Sequence, residues 1–353
     1  MSNRFCRFLS NGYSFSSQNN SLIVNPCCWH RGGIIFDENF EKNKHDQAQI
    51  NKWTPGCSVC QTQESAGQRS FRQSSFEILP EVENNIPLAI DINLDMKCNA
   101  ACVICGPEVS TFWEKQYNKN KIFTIDQKSN HESYLNIILN NVDFTNVKRV
   151  KFFGGEPLLT DTHIKILEKI PNPSECDVWY TTNASIVPKE NILNIWKKFK
   201  LIYFEASIDG IGERFDYIRW PLSWTKIEQN LLNLRATAPV NLLFRINHTL
   251  NPFNAYYYEE LENWVQQKLN TNRLGDKTEI NIHPCWGTWD LKKTPLSLRE
   301  EIYKKYPDHL ISKIILSHSV ESYQSVLNFT DQWDPIRKNN WKKTFPEIVK
   351  HFS

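Results

Sequence analysis

The chain has 353 residues, with 41 Lys and Arg against 39 Asp and Glu, which leaves a net charge of +2. A charge this balanced argues against a basic nucleic-acid groove and against a surface built for an anionic membrane. No apolar run approaches the length of a membrane span, and the first residues lack the apolar centre of a secretory signal. We therefore expect a cytoplasmic protein without a membrane or nucleic-acid partner.

The amino-terminal segment, residues 1–80, is rich in Ser, Asn and Gln and shows little helical periodicity. Disulfides are rare in a reducing compartment, so its cysteines predict a metal that orders the segment. Cys57 and Cys60 form a C-x-x-C pair that, with Cys6 and one of Cys27 and Cys28, supplies four thiols. Four thiols close an iron–sulfur cubane or a zinc site. Because adjacent side chains diverge, we expect only one of Cys27 and Cys28 to ligate. The sequence does not decide which of the two it is, and we take Cys27 as the candidate.

From about residue 86, short β-branched or aromatic runs alternate with amphipathic stretches, which is typical of repeated βα units and a parallel sheet. Strands are predicted at 87–94, 148–154, 176–183, 200–210, 240–250 and 278–284. Helical periodicity follows in stretches such as 162–170, 190–199, 224–234 and 256–269. The pattern predicts an α/β fold, with a partial (β/α)6 TIM-like barrel over residues 81–290 and a helical C-terminal tail over residues 291–353.

The sequence CNAACVIC places Cys98, Cys102 and Cys105 directly after the first strand of the predicted barrel. Barrel enzymes place their chemistry at this end of the strands. Three thiolates can hold three irons of a cubane, which leaves the fourth iron open to bind a small molecule. The alternatives are a zinc knuckle that borrows a fourth ligand and buried thiols without metal.

This cysteine spacing, followed by KFFGGEPLL after the second strand, resembles the radical S-adenosylmethionine (radical SAM) superfamily. The resemblance implies a 4Fe-4S cluster whose open iron chelates S-adenosylmethionine, and an electron that cleaves it to methionine and a 5′-deoxyadenosyl radical. It also implies a reductase such as flavodoxin or ferredoxin. The residue before the last cysteine, often aromatic in the family, is Ile104, so adenine would pack on an aliphatic side chain.

The second strand ends in Gly154, Gly155, Glu156 and Pro157. Paired glycines let a backbone approach a ligand that a Cβ atom would block. The resemblance implies that Glu156 and the adjacent backbone bind the methionine ammonium. A simple turn before a helix would also explain the glycines, although it leaves the carboxylate without a role.

Short hydrogen-bonding side chains end the next two strands, at Thr182 and Asn183 and then at Ser207 and Asp209. If these strands form a barrel, the side chains lie at its mouth. By resemblance they would contact the methionine carboxylate and the ribose hydroxyls. For Ser207 and Asp209, capping of the following helix is the alternative.

Period-two alternation puts Arg245 and Asn247 on one face of the fifth predicted strand. A charge inside a barrel has to be paired. Arg245 would therefore clamp a carboxylate of S-adenosylmethionine or of substrate, or else pair with Glu205. We take both Arg245 and Asn247 as cofactor-binding candidates.

The segment with FCRFLSNGY, NPCCWH and TPGCSVCQTQESAGQRSFRQSSF resembles the cysteine-rich segment ahead of the barrel in twitch-domain radical SAM proteins, relatives of the SPASM group. There the auxiliary site is usually iron–sulfur, so the resemblance favours a second cluster over zinc. It implies hydrogen abstraction from a peptide or protein side chain or from a small metabolite. A non-catalytic iron–sulfur or zinc-binding scaffold is the alternative function.

Overall fold

The computed structural model describes residues 6–18, 21–36, 52–65, 69–82, 86–122 and 130–353. The chain divides into two compact units. The first unit comprises Met1–Met96, Asp126–Thr181 and Lys189–Tyr203, and the second comprises Lys97–Ile125, Thr182–Pro188 and Phe204–Ser353. Within the described ranges, no helix is both long and apolar enough to cross a membrane.

Strands follow the predicted βα pattern, with additional strands ahead of it. They are β1 (Gly12–Gln18), β2 (Ser21–Asn25), β3 (Ile34–Ile35), β4 (Ala89–Asn93), β5 (Arg149–Phe152), β6 (Asp177–Thr182), β7 (Leu201–Ser207), β8 (Leu242–Leu250) and β9 (Glu279–Pro284). The six predicted strands correspond to β4 to β9, so those predictions are confirmed to within a few residues at each end.

Helices of the first unit are α1 (Arg7–Asn11), α2 (Ser58–Ser65), α3 (Phe71–Ile78), α5 (His131–Asn141), α6 (Thr162–Leu167) and α7 (Glu190–Trp196). Helices of the second unit are α4 (Thr111–Lys119), α8 (Gly212–Ile218), α9 (Trp224–Thr237), α10 (Tyr258–Lys268), α11 (Leu296–Lys305), α12 (Leu310–Ser317), α13 (Gln324–Arg337) and α14 (Trp341–Thr344). The helical stretches predicted between the strands are confirmed as α6, α7, α9 and α10.

Parallel pairing dominates the first unit. Strand β4 pairs in parallel with β1, at Ser14 opposite Asp91, and with β5, whose Arg149 lies opposite Asp177 of β6. Strands β1 and β2 and strands β2 and β3 pair antiparallel. Parallel strands connected through helices make this an α/β fold.

Strand β1 is absent from the sequence-based predictions. Its sequence GYSFSSQ alternates serines with Tyr13 and Phe15, which are 3% and 0% exposed. Ser14 between them is 4% exposed, so both faces of this part of the strand are buried, and only the sequence alternates with period two. The amino-terminal segment therefore contributes to the sheet of the first unit beside β4.

In the second unit, β8 and β9 pair in parallel with Arg245 opposite Glu279. The C-terminal helices pack into the apolar core of this unit. Phe253 stacks on Trp341 at 4.9 Å between ring centroids and contacts Phe345 at 5.2 Å. Residues 291–353 thus share a hydrophobic core with the strands of their unit.

Candidate functional site

The three-thiol loop, residues 98–105, is fixed by backbone hydrogen bonds within the second unit. Ala101 N–H donates to the Trp220 carbonyl at 2.7 Å, and Val103 N–H donates to the Ile218 carbonyl at 2.8 Å. The indole Nε1 of Trp113 donates to the Cys102 carbonyl at 2.8 Å. The loop therefore holds its cysteines on a rigid backbone instead of on a free connection.

The thiols of this loop differ in burial. Cys102 is 4% exposed, whereas Cys98 and Cys105 are half-buried. A hydrogen bond from Cys105 lowers the pKa of Cys102 to about 7, and the positive charge of Arg219 adds to that shift. The same hydrogen bond raises the pKa of Cys105. One thiolate is therefore favoured near neutral pH, and the thiolate is the form that binds a metal.

Asp209, predicted to contact a cofactor, is fully buried and holds Arg219 beside the loop. Its Oδ2 accepts hydrogen bonds from Arg219 Nε at 2.7 Å and Nη2 at 2.6 Å. Its Oδ1 accepts the Thr249 N–H at 2.7 Å. Both carboxylate oxygens therefore have protein partners, which makes Asp209 a positioning residue for Arg219. Ser207, two residues earlier, is 8% exposed.

A second arginine reaches the loop from the end of α13. Arg337 is 4% exposed, and its Nη2 donates to the Tyr217 carbonyl at 2.8 Å and to the Ala101 carbonyl at 3.4 Å. Its charge also lowers the pKa of Cys102. Neither arginine was a sequence-based candidate, because each is distant in sequence from the cysteines.

An amide network joins the end of β6 to the three-thiol loop. Asn183 Nδ2 donates to Asn99 Oδ1 at 2.9 Å, and Asn99 Nδ2 donates to Ser185 Oγ at 2.9 Å. Thr182 Oγ1 accepts the Ala184 N–H at 3.1 Å. The predicted residue Asn183 thus lies against the neighbour of Cys98. Asn99 was missed, although its place inside the cysteine motif was a usable signal.

Polar side chains continue along β7, β8 and β9. Arg245 Nη2 pairs with Glu279 Oε2 at 3.1 Å, as their opposed register predicts. Asn247 Nδ2 donates to Glu205 Oε2 at 3.3 Å, and Asn281 Nδ2 donates to Asn247 Oδ1 at 3.2 Å. Arg245 and Asn247 are therefore both engaged with neighbouring polar side chains of their unit.

Ile104 is partly buried and packs against the apolar core of the second unit, whose members include Tyr217 and Leu250. Its side chain is aliphatic and keeps some exposure. An apolar side chain in this position can present a surface to a flat ring. Adenine contact at Ile104 stays a prediction.

The GGEP turn, residues 154–157, lies against the end of β4 in the first unit. Gly154 has φ +119°, and a Cβ atom there would come within 2.2 Å of Asn93 Oδ1. Gly155 N–H donates to the Asp95 carbonyl at 3.0 Å. Glycine at 154 is therefore required both by the positive φ and by the close approach of Asn93.

Glu156 is 2% exposed, and its Oε1 accepts the Leu158 N–H at 3.2 Å. Pro157 begins the short helical turn that follows. This contact is the capping role expected of a simple turn. A buried carboxylate is also a strong acceptor for an ammonium group, as the resemblance implies.

The four-thiol pocket is a cavity of the first unit whose lining residues include Cys6, Cys27, Cys57 and Cys60. Cys28 is not among the lining residues, and burial and the nearby carboxylate of Asp91 raise the pKa of its thiol. The structure thus separates the neighbouring cysteines in the way that diverging adjacent side chains predict. Ligation of a metal by these thiols stays a prediction.

Backbone amides support the thiols of this pocket. Burial raises the pKa of Cys6 to about 11, and the backbone N–H groups of Leu9 and Phe8 partly offset that shift. Burial also raises the pKa of Cys60, opposed by the N–H groups of Arg72 and Phe71. Burial therefore keeps the bare thiols of Cys6 and Cys60 protonated, and a positively charged metal group would have to bring out their thiolates.

Arg72 supplies positive charge near Cys6 and Cys60. Its Nε and Nη2 bind Glu64 Oε1 and Oε2 at 2.9 and 2.7 Å, which is a two-point contact that fixes the guanidinium. Such a fork is more rigid than a single hydrogen bond. Sequence reasoning did not single out Glu64 or Arg72.

His30 also lines the four-thiol pocket and is 7% exposed. Its Nδ1 contacts Asn25 Oδ1 at 3.3 Å, whereas its Nε2 has no hydrogen-bond partner among the described residues. A Cβ atom at Gly56 would come within 2.1 Å of that Nε2. An unpartnered buried nitrogen in a thiol-lined cavity is consistent with a site that binds a group.

Both cysteine sets fit iron–sulfur groups by their donor chemistry, since soft thiolates with nearby cations are the usual environment. In the described part of the chain, no group of three or more His, Cys, Asp or Glu side chains is arranged to hold a metal ion. A 4Fe-4S cluster binds each thiolate through a different iron, so its ligands need not converge on one point.

No protein-family model matches the chain. A curated relative, the probable GTP 3′,8-cyclase of Methanothermobacter marburgensis, is 27% identical over 132 residues, which are 37% of this chain and 36% of that protein. The match thus spans about a third of the relative's length. Native anSMEcpe with bound AdoMet is 17% identical, with a TM-score of 0.43, covering 70% of this chain and 67% of that chain. Streptococcus suis SuiB bound to S-adenosylmethionine is 15% identical, with a TM-score of 0.36, covering 86% and 69%.

Proposed function

We propose that this chain, which belongs to the radical SAM superfamily, cleaves S-adenosylmethionine at a cluster held by Cys98, Cys102 and Cys105 and begins radical chemistry on a substrate. The family assignment rests on the cysteine spacing, the GGEP sequence and the curated relative. The observation that carries the proposal is the three-thiol loop, in which three thiols on one fixed backbone lie beside buried arginines.

A 4Fe-4S cluster held there by Cys98, Cys102 and Cys105 would supply the electron for reductive cleavage of S-adenosylmethionine to methionine and a 5′-deoxyadenosyl radical, and that radical would abstract hydrogen from the substrate. The protein supplies position, charge and exclusion of water. Arg219, oriented by Asp209, offsets the negative charge of the thiolates. Three thiols leave one iron without a protein ligand, which provides the open position that a bound reactant needs.

Within this proposal, the GGEP turn and the strand ends bind S-adenosylmethionine. Glu156 takes the ammonium group, a charge-assisted contact to a buried carboxylate. Asn183 and Thr182 contribute short polar groups, and the amide of Asn99 keeps Asn183 oriented. Ile104 offers the aliphatic surface for adenine.

The four-thiol pocket, in this proposal, holds a second iron–sulfur cluster of the twitch or SPASM type. A set of four thiols is closed, so the cluster has no open position for substrate. Its role is therefore to order the amino-terminal segment. Support comes from the pocket lining, the backbone N–H donors and the nearby charge of Arg72.

The proposal further takes the parallel strands as a partial (β/α)6 barrel, the protein as cytoplasmic, and flavodoxin or ferredoxin as the electron donor. The hydrogen donor is a peptide or protein side chain or a small metabolite. The curated relative is a probable GTP cyclase by name, so nucleotides belong in the substrate panel. Transfer of substrate deuterium into 5′-deoxyadenosine identifies the class that reacts.

The test is anaerobic reconstitution with iron and sulfide, reduction with dithionite, and assay of 5′-deoxyadenosine by mass spectrometry after S-adenosylmethionine is added. We expect 5′-deoxyadenosine from the wild type. Glu156→Gln keeps the side-chain oxygen that caps Leu158 but removes the charge, so it should bind S-adenosylmethionine about tenfold more weakly. Thr160→Val, a change after the same turn, is the control.

A cluster-loaded wild type that forms no 5′-deoxyadenosine would overturn the proposal. That result is what the alternative, a non-catalytic iron–sulfur or zinc-binding scaffold, predicts. Unchanged affinity in Glu156→Gln would remove the role of the GGEP carboxylate while leaving cleavage itself intact. The two outcomes are therefore separable.

A further inference from the structure

Arg337 is a buried cation without a buried anion of its own. Its Nη2 is used by the carbonyls of Tyr217 and Ala101, but its Nε and Nη1 are buried without a hydrogen-bond partner in the described residues. Desolvating a guanidinium is costly unless it is paired. Packing alone therefore does not account for a buried guanidinium at residue 337.

Aromatic rings surround the guanidinium but do not neutralise it. Its carbon atom lies 5.9, 5.6 and 5.3 Å from the ring centroids of Trp113, Tyr217 and Trp220. Cation–π contacts of this kind offset only part of a charge. The rings place Arg337 in a low-dielectric environment, in which its field on neighbouring groups is strong.

Asp334 lies one turn earlier on α13 but directs its oxygens elsewhere. Its Oδ1 accepts the Tyr217 hydroxyl at 2.8 Å, and its Oδ2 accepts the Trp341 N–H at 2.8 Å. Neither oxygen of Asp334 is used by Arg337, whose Nε and Nη1 have no hydrogen-bond partner among the described residues. Asp334 attenuates the field of Arg337 without pairing with it.

The remaining negative charge near Arg337 belongs to the three-thiol loop. Arg337 donates to the carbonyl of Ala101, the residue before Cys102. Arg219 lies near the same thiols, but the two-point contact with Asp209 offsets part of its charge. In the described part of the chain, Arg337 makes no such contact with a carboxylate, so its charge acts on this loop in addition to that of Arg219.

We propose that Arg337 is a positioning residue that raises the reduction potential of the cluster bound by the three-thiol loop. The inference rests on the proposed function, because it requires a cluster there. Reduction adds one negative charge to a group already ligated by thiolates, and a nearby desolvated cation stabilises that charge. The C-terminal helix α13 thereby tunes the centre.

The test is an EPR-monitored redox titration of the reconstituted full chain, with the relevant signal identified by its change when S-adenosylmethionine is added. Arg337→Met should lower the potential enough to reduce the ratio of reduced to oxidised cluster at least tenfold at a fixed potential, a change of about 59 mV for one electron. Arg337→Lys should restore most of the ratio. Lys338→Met removes the same charge from the adjacent exposed position and should have no effect.

Asp334→Asn provides a shift of the opposite sign. It removes the carboxylate charge that attenuates the field of Arg337, so the reduction potential should rise. The ratio of reduced to oxidised cluster at a fixed potential should then increase roughly threefold. A purely structural role of α13 would not give opposite shifts from two neighbouring positions. This variant also keeps the proposal testable if Arg337→Met loads poorly with iron.

If iron-loaded Arg337→Met has the same reduction potential as Lys338→Met, the inference about Arg337 is wrong, whereas the proposed function is unaffected. Equal potentials in Asp334→Asn and wild type would do the same. A wild type that forms no reducible cluster overturns the proposed function, and the inference with it. Iron counts on each sample separate these outcomes.

Discussion

The three-thiol loop and the four-thiol pocket differ in how their surroundings shift the pKa of cysteine thiols. In the loop, the hydrogen bond from Cys105 and the charge of Arg219 lower the pKa of Cys102 to about 7. In the pocket, burial raises the pKa of Cys6 to about 11 and raises that of Cys27 as well. The loop stabilises one thiolate, that of Cys102, before any metal arrives, while the pKa of Cys105 is raised. In the pocket, the thiols of Cys6 and Cys27 depend on the metal for deprotonation.

This contrast matches an open and a closed donor set. An open set must keep its ligands charged and its backbone fixed while one position exchanges its occupant. A closed set buries all its thiols and gains its stability from the bound group. We therefore expect the loop to be needed for cleavage of S-adenosylmethionine and the pocket for ordering the amino-terminal segment.

The largest expected effect is the loss of all S-adenosylmethionine cleavage when the loop loses its thiols. Replacing Cys98, Cys102 and Cys105 together by Ala should reduce 5′-deoxyadenosine to background, because the four-thiol pocket is a closed donor set without an open position. Iron content should fall by about four per chain, the content of one cubane. Mössbauer spectroscopy with iron counting measures both.

The matched variant, Cys57→Ala with Cys60→Ala, should lose the same amount of iron but retain 5′-deoxyadenosine formation in the absence of substrate. If both variants lose cleavage equally, or if neither loses iron, the division of tasks is wrong. Equal loss with intact iron at the loop would indicate that the pocket passes the electron.

Much of the parallel fold could be predicted from the sequence, because β4 to β9 carry strong β-branched and aromatic runs between amphipathic helices. Strand β1 could not, since its serines weaken the apolar signal and its partner β4 is distant in sequence. Strand pairing of this kind is decided by tertiary contacts.

The cysteines of the site were predictable because their spacing is local, and so was the GGEP turn. The arginines were not. Arg337 lies 236 residues from Ala101, to which it donates a hydrogen bond, so that only the fold brings them together. Asp209 was a candidate from the sequence, but its contacts with Arg219 and Thr249 could not be predicted, because a polar side chain at a strand end binds cofactor or protein equally well.

A smaller effect separates the adjacent cysteines of the amino-terminal segment. Cys27→Ser should remove most of the iron of the second centre, because Cys27 lines the four-thiol pocket. Cys28→Ser should retain that iron, because Cys28 does not line the four-thiol pocket and its thiol lies near Asp91 instead. Iron counting in the triple-Ala background, where the loop is empty, measures the second centre alone.

Loss of iron in Cys28→Ser and retention in Cys27→Ser would reverse the assignment of the ligand. Equal loss in both would show that the strand end at residues 25–28 orders the pocket through its backbone. Either result contradicts the pocket as described. The sharpest outcome is full iron in one variant and little in the other.

The smallest effect concerns the Glu64 contact that holds Arg72 beside the pocket. The hydrogen bond from Arg72 lowers the pKa of Glu64 below its ordinary 4.5. A depressed carboxyl pKa gives stability that is present above pH 4.5 and is lost as pH falls through the lower value in the folded protein. Glu64→Gln removes that charge at every pH, so in the triple-Ala background the variant should lose its remaining iron up to about tenfold faster at pH 6.5. The two proteins should converge as the pH falls below 4.5, and release of iron to a chelator measures the rates.

Glu77→Gln, which removes an exposed acidic partner of Arg69 from the same unit, should behave as the wild type. If the ratio of the iron-release rates of Glu64→Gln and its parent protein stays constant across this pH range, the Glu64–Arg72 pairing does not stabilise the pocket. A difference in rate that does not change when Glu64 is protonated cannot come from the charge of Glu64.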